Sequence, residues 1–234
     1  MKQLPPAKYF PPAEAATDDG LVGVGGSLEA EWLLDAYSHG IFPWPVGEED
    51  DPMLWWSLDP RAIFELDGFH VSRRLQRTCR SGRFTLTCDQ DFSGVIHGCA
   101  YGPSRDGGTW ITPSMIEAYT RMHHLGHAHS IEAWHEGQLA GGVYGIAIAG
   151  LFAAESMFYL QRDASKVALV GLIGHLRARG YMLFDIQQLT PHTERLGAVE
   201  IPRGEYLTRL ADALQAKVTF GNELECMVPD TGNA

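Results

Sequence analysis

Runs of alternating or continuous apolar residues at 83–88, 129–135, 141–148, 151–154 and 181–186, with a last one near 217–220, read as strands. Apolar positions at helical spacing fall over 72–80, 113–125, 164–179 and 203–216. The helix ends carry their own signals: Thr112 caps and Pro113 opens the second of these helices, Gly126 follows it, and Gly180 ends the third. Strands alternating with helices predict a mixed α/β (α+β) sheet from residue 62 onward. Upstream, the Gly-Leu-Val-Gly-Val-Gly-Gly run at 20–26 lacks the rest of a dinucleotide fingerprint and reads as a turn, after which Ser27 caps a helix over 28–39 that Gly40 ends. The uncharged run 138–154 is shorter than the roughly 20 residues a membrane helix needs. Interrupted by glycines, it reads as a hairpin turning near Ala149 and Gly150.

One strand departs from its neighbours in composition. Phe184-Asp185-Ile186-Gln187 sets a carboxylate and an amide two residues apart in an apolar run, and a period of two puts both on one face. A carboxylate there costs free energy unless it is hydrogen-bonded or paired, so Asp185 is either a satisfied structural group or, with Gln187, a catalytic pair. Glu155, at the end of the long uncharged run, adds a second carboxylate and favours chemistry.

Bulk properties narrow the classes. The 234 residues, 45% hydrophobic and 20% charged, suffice for a large domain with a small companion, divided near Arg61 into 1–61 and 62–234. A net charge of −11 argues against generic polyanion binding. Locally, however, Arg73, Arg74, Arg77, Arg80 and Arg83 fall close together with no acid among them, and on a helix Arg73, Arg77 and Arg80 share a face. That face is either solvated surface or a phosphate-binding ridge. The cysteines (Cys79, Cys88, Cys99, Cys226) have no Cys-x-x-Cys spacing and read as reduced thiols. No apolar h-region follows the N-terminal lysines, which makes the cytoplasm the expected location.

Several chemistries lack their signatures. The histidines at 123–129 have no His-Glu-x-x-His and no acids at ligand spacing, so no metal is expected. There is no Gly-x-Ser-x-Gly, no P-loop, and no Arg/Gln-x-x-Gly-x-Gly/Ala loop of the kind that holds coenzyme A pyrophosphate. Glu155, Asp185 and Gln187 near aromatic surface suit a reaction that needs no cofactor because one substrate arrives already activated. Trp44, Trp55 and Trp56 offer faces on which bases stack, with core packing the alternative for at least one of them.

At these residues the chain resembles a known family. Gly40-Ile-Phe-Pro-Trp44, Leu54-Trp-Trp-Ser57 with Asp59-Pro-Arg61, Gly108-Thr-Trp-Ile-Thr112, Leu125-Gly-His-Ala-His-Ser-Ile-Glu132, Gly141-Gly-x-Tyr-Gly145, Glu155-Ser-Met-Phe158, Ala164-Ser-Lys166, Asp185-x-Gln187 and Leu196-Gly-Ala198 with Ile201-Pro-Arg203 follow, in order, the pattern of leucyl/phenylalanyl-tRNA–protein transferases. The resemblance implies a small N-terminal domain joined to a larger domain of the acetyltransferase (GNAT) superfold. It implies an enzyme, bacterial and cytosolic, that moves Leu or Phe, with Met as a further candidate, from aminoacyl-tRNA to the α-amino group of proteins beginning with Arg or Lys, marking them for degradation. It further implies roles: Asp185 and Gln187 handle the attacking amine, Glu155 binds the acceptor's cationic side chain, and Trp44 and Trp110 stack on the terminal adenosine. Val143, Phe152 and Met157 would line the pocket for the transferred side chain. The arginines at 73, 74, 77, 80 and 83 would meet tRNA phosphates. The chain departs from the family pattern at Val143, where Met is usual, and at Ile186, often Cys. No cofactor, metal or membrane is expected, and the chain is expected to act as a monomer. The alternatives weighed are an acyl-coenzyme A enzyme of the same superfold, a non-catalytic adaptor for N-terminal residues, and a transferase that delivers aminoacyl groups to a cell-wall precursor.

Overall fold

The computed structural model describes residues 4–47, 49, 51–102 and 109–225; Gly108 and Cys226 lie outside them. After a 3-10 turn at Ala13–Ala15 come β1 (Leu21–Val24), α1 (Ala30–Ser38), β2 (Phe42–Pro43), β3 (Leu54–Trp56), β4 (Arg61–Phe64), α2 (Arg73–Arg80) and β5 (Thr85–Cys88). These are followed by α3 (Phe92–Tyr101), α4 (Pro113–His124), β6 (Ala128–His135), β7 (Gln138–Ile148), β8 (Leu151–Tyr159) and α5 (Ala164–Arg179). The remaining elements are β9 (Leu183–Gln187), α6 (Pro191–Glu194), β10 (Ala198–Ile201) and α7 (Arg203–Ala213). Among the described residues the strands form a small sheet, β1-β3-β2, and a larger one, β10-β4-β9-β8-β7-β6-β5. Neighbouring strands of the larger sheet run antiparallel except β8 and β9, which are parallel. This is the mixed architecture expected, with a small N-terminal unit beside a larger one.

Local signals account for the helix ends. Ser72, Asp91 and Thr112 accept backbone N–H bonds from Leu75, Gly94 and Met115 and so cap α2, α3 and α4. Gly180 ends α5 at φ +80°, a conformation that favours glycine. The hairpin turns where expected, with Ile148 opposite Leu151. Ser27 does not cap α1: its hydroxyl accepts from the Glu29 N–H, and the helix starts later, at Ala30. The 20–26 segment is a turn only at its end, because Leu21–Val24 find a ladder partner in the distant Leu54–Trp56. No strand forms at 217–220; instead Phe220 packs among Phe152, His129, His175 and Tyr181. α3 is not among the expected helices, although Phe92, Val95, Ile96, Cys99 and Ala100 have helical spacing; it contains Gly98, where an added Cβ would lie 2.5 Å from the Phe158 ring.

Each face of the larger sheet carries a core. On one, α1, α3, α4 and α7 bury Leu33, Tyr37, Ile96, Tyr119 and Tyr206. On the other, α5, buried along its length from Ala164 to Leu176, packs with Leu75 of α2 against Val143 and Phe152. Trp55, 1% exposed, is a core residue whose indole N–H donates to the Gly25 carbonyl. No described helix is long and apolar enough to cross a membrane.

Candidate active site

Two irregularities lie side by side where β8 and β9 meet. On β8, Tyr144 of β7 pairs with Ser156 and Gly145 with Ala154, so Glu155 is an extra, bulged residue. On β9, Ala62 of β4 pairs with Gln187 and Ile63 with Asp185, which makes Ile186 the extra residue. The parallel pairing of β8 with β9 runs from Leu151 to Ala153 and stops there, although β8 continues to Tyr159. The strands therefore part, and Glu155 and Gln187 stand at the parting. The β8 bulge also reverses the alternation of faces: Phe152 and Met157, five positions apart, pack against the same core.

Asp185, opposite Ala153 on the last rung before this opening, is completely buried. Arg61 Nε donates to its Oδ1 at 2.9 Å and Nη2 to its Oδ2 at 2.7 Å; the Tyr206 hydroxyl donates to Oδ2 at 2.9 Å and the Gln187 N–H to Oδ1 at 2.9 Å. The Arg61 guanidinium is sandwiched between the rings of Phe42 and Tyr206, 4.6 Å from each centroid. Burial by itself would depress its pKa, but the Asp185 carboxylate raises it above the ordinary value, so the pair is ionic. Burial and the Asp185 charge both raise the Tyr206 phenol, which stays a donor.

Glu155 sits half-buried at the centre of a second network. Its Oε1 accepts from the Tyr37 hydroxyl at 2.7 Å and from Gln187 Nε2 at 3.2 Å, and its Oε2 from the Tyr119 hydroxyl at 3.1 Å. The two tyrosines, from α1 and α4, also hydrogen-bond each other. Burial pushes the Glu155 carboxyl up to about 7; the tyrosine donors oppose the shift, the Asp185 charge adds to it, and Arg61 opposes it. Gln187 adopts φ +57°, a strained left-handed conformation for a residue with a side chain. The bond from its own N–H to Asp185 holds it there.

The expected binding residues are distributed around this centre. Trp44 and Trp110 stack on each other, with centroids 5.1 Å apart and planes inclined by 24°. A groove of about 240 Å³ lined by Phe42, Trp44, Trp56 and Gln188 adjoins them. On the opposite face of the sheet a cleft of about 600 Å³ is lined by Met157, Leu75, Leu196 and several cations. Val143 and Phe152 are 3% and 1% exposed and do not line this cleft; they pack in the core on its side of the sheet, as does half-buried Ile186. Arg73, Arg74, Arg77, Arg80 and Arg83 are all exposed; Arg74 reaches Asp163 at 3.1 Å and Arg83 donates to Gln161 at 3.3 Å. Of the histidine run, His123 contacts the Ala128 carbonyl and His129 the Asp89 carboxylate, and no described cluster of His, Cys, Asp and Glu could hold a metal.

Sequence reasoning did not assign Arg61, Tyr206, Tyr37 or Tyr119 to the site. A signal existed for Arg61, a cation opening an apolar strand, which needs an anion such as Asp185. The tyrosines had none, since each continues an apolar helix face.

The parallel pair that parts beside polar groups defines an acyltransferase-like α/β enzyme. Residues 63–211 match the family described as "Leucyl/phenylalanyl-tRNA protein transferase" and residues 26–59 its N-terminal domain, so the chain belongs to that family. A relative named leucyl/phenylalanyl-tRNA–protein transferase in Magnetococcus marinus is 51% identical over 217 residues, covering 91% of each chain. One of the same name in Syntrophotalea carbinolica is 49% identical, covering 90% of this chain and 91% of that one. Another, in Anaeromyxobacter dehalogenans, is 48% identical and covers 97% of both. The solved structure of L-PGS from Bacillus licheniformis is 13% identical, covers 68% of this chain and 50% of that one, and has a TM-score of 0.36.

Proposed function

We propose that this chain transfers Leu or Phe from aminoacyl-tRNA to the α-amino group of proteins that begin with Arg or Lys, in the cytoplasm and without a cofactor, so that the product is marked for degradation. The observation that carries this reading is the 3.2 Å contact of Gln187 with Glu155 where β8 and β9 part, between the tryptophan groove and the Met157 cleft. Such a site orients two partners for direct attack.

The donor ester is already activated, and an α-amine has an unperturbed pKa of about 8, so a modest fraction is neutral and nucleophilic near neutral pH. Its lone pair attacks the ester carbonyl carbon, the C–N bond forms as the C–O bond to ribose breaks, and the proton lost by nitrogen ends on the ribose oxygen. Gln187 directs its amide N–H at Glu155, which leaves its carbonyl to accept from the attacking amine. Asp185, whose oxygens already accept four donors, acts as a positioning residue for Gln187. Glu155 receives the cationic side chain of the acceptor in a charge-assisted contact. Trp44 and Trp110 take the terminal adenine. Met157, with its adaptable thioether, meets the transferred side chain, while Val143 and Phe152 form the packed floor behind it. The arginines of α2 and Arg83 contact tRNA phosphates, which carry no base information.

Labelled Phe-tRNA and Leu-tRNA, supplied with peptides differing in the first residue alone, test the reading. Label should appear on peptides beginning with Arg or Lys. Equal labelling of neutral N-termini would refute the assignment of Glu155, and absence of labelling from either tRNA would refute the function.

A further inference from the structure

The Met157 cleft has a cationic wall of which the roles above use Arg74 alone. Arg74 from α2, Arg162 and Lys166 at the start of α5, and Arg195 after α6 line it, together with His70 and His192. Four of the chain's 18 lysines and arginines thus converge in a protein of net charge −11. Asp163, also in the lining, lies 3.1 Å from Arg74 and 4.0 Å from Arg162 and Lys166, and offsets one of those charges. The first turn of α5 faces the same space, and Asp163 at its N-cap provides no side-chain cap. Ser165, 5% exposed, lines the cleft in the first turn of α5. A hydroxyl that lines the cleft, a helix N-terminus and converging cations together suit an anion.

We propose that Ser165, Lys166, Arg162 and Arg195, with the opening turn of α5, bind the RNA phosphodiesters next to the 3′-terminal adenosine of the donor. This rests on the donor being an aminoacyl-tRNA. The placement fits: Tyr159, 50% exposed at the cleft, is four residues along β8 from Glu155, roughly 13 Å at strand rise, and offers a ring face for a base. A single connection, residues 188–196, separates Gln188 in the tryptophan groove from His192 and Arg195 in the cleft. Arg74 is both one of the exposed arginines of α2 and part of this wall, so the cations of the helix surface continue into the cleft.

Two donors with the same ester separate this site from the rest of the machinery: Phe-tRNA, and 3′-O-phenylalanyl-adenosine, which has no phosphate. In the double variant Lys166→Ala/Arg195→Ala, KM for Phe-tRNA should rise roughly tenfold or more with little change in kcat, and its dependence on log salt should flatten by about 1 to 1.5, as expected when two single-strand phosphates are no longer neutralised. KM for phenylalanyl-adenosine should stay within about twofold, because that donor has no phosphate to lose. An equal rise for both donors, or a rise for neither, overturns the site; a wild type that transfers from neither donor overturns the transferase reading instead. Calorimetric titration with the trinucleotide CCA reads the site without turnover and also covers Ser165→Ala, with circular dichroism to show that each variant is folded. Both variants should bind CCA more weakly than wild type, and inorganic phosphate alone should bind wild type roughly tenfold more weakly than CCA. Unchanged CCA binding in the variants, or tighter binding of free phosphate, overturns the assignment to RNA.

Discussion

The Arg61 guanidinium meets both oxygens of Asp185, at 2.9 and 2.7 Å, in a site from which water is excluded. This pair ties β4 to β9 across the sheet and, through the Gln187 N–H, fixes the one residue of β9 with a left-handed backbone. Removing one partner leaves an uncompensated buried charge. Asp185→Ala should therefore lose about 3–5 kcal/mol of stability as well as most of its turnover. Arg61→Lys, which cannot bridge both oxygens, should fall between wild type and Asp185→Ala. Chemical denaturation and single-turnover rates check this; wild-type rates in a folded Asp185→Ala protein would remove Asp185 from the mechanism.

Glu155 should make acceptor choice depend on pH. Its carboxyl is pushed up to about 7, so its charge, and with it the preference for Arg over neutral N-termini, should strengthen as pH rises through 7 and fade below it. Glu155→Gln should abolish the preference at every pH, as peptide competition will show. If the preference survives in Glu155→Gln, the acceptor's cation is bound elsewhere.

The same group sets a stability trend. Folded Glu155 keeps its proton to about 7 whereas the ordinary value is 4.5, so between these values the folded state binds more protons than the unfolded chain. Its contribution is full below 4.5 and is lost as pH climbs toward 7. The denaturation midpoint of Glu155→Gln relative to wild type should accordingly improve across that window; a flat difference would contradict the shift.

Tyr37 and Tyr119 oppose the elevation of Glu155 by donating to its charged form. Replacing either by Phe should move the pH midpoint of acceptor selectivity upward, and the absence of each buried bond should cost roughly 1 kcal/mol. A midpoint that stays put while stability falls would make the tyrosines structural alone.

Arg73, Arg77 and Arg80 point outward from α2, opposite buried Leu75. Charge reversal at these positions should weaken aminoacyl-tRNA binding and flatten its salt dependence by roughly 0.7 to 0.9 for each phosphate no longer neutralised. An unchanged slope would leave them as solvated surface.

Much of this architecture is legible without coordinates because its signals are local. Ser72, Thr112 and Gly180 mark helix ends by satisfying or releasing backbone groups within a few residues. The hairpin at Ala149 and Gly150 follows from an uncharged run interrupted by glycines. β1 and β3, by contrast, are short segments that pair with each other and β2 across the fold, and the 217–220 segment has an apolar pattern but no ladder partner among the described residues. Local pattern cannot supply a partner distant in sequence.

The same division runs through the site. Asp185, Gln187 and Glu155 stand out in the sequence because carboxylates and amides in apolar strands demand compensation, and the ordered motifs place the chain in its family. What compensates them, and which oxygens stay open to a substrate, is a matter of tertiary structure alone: Arg61 and Tyr206 converge on Asp185 from 124 and 21 residues away, and Tyr37 on Glu155 from 118. The bulges at Glu155 and Ile186 arise from register against neighbouring strands, so the side of the sheet that Met157 faces could not be counted from a period of two.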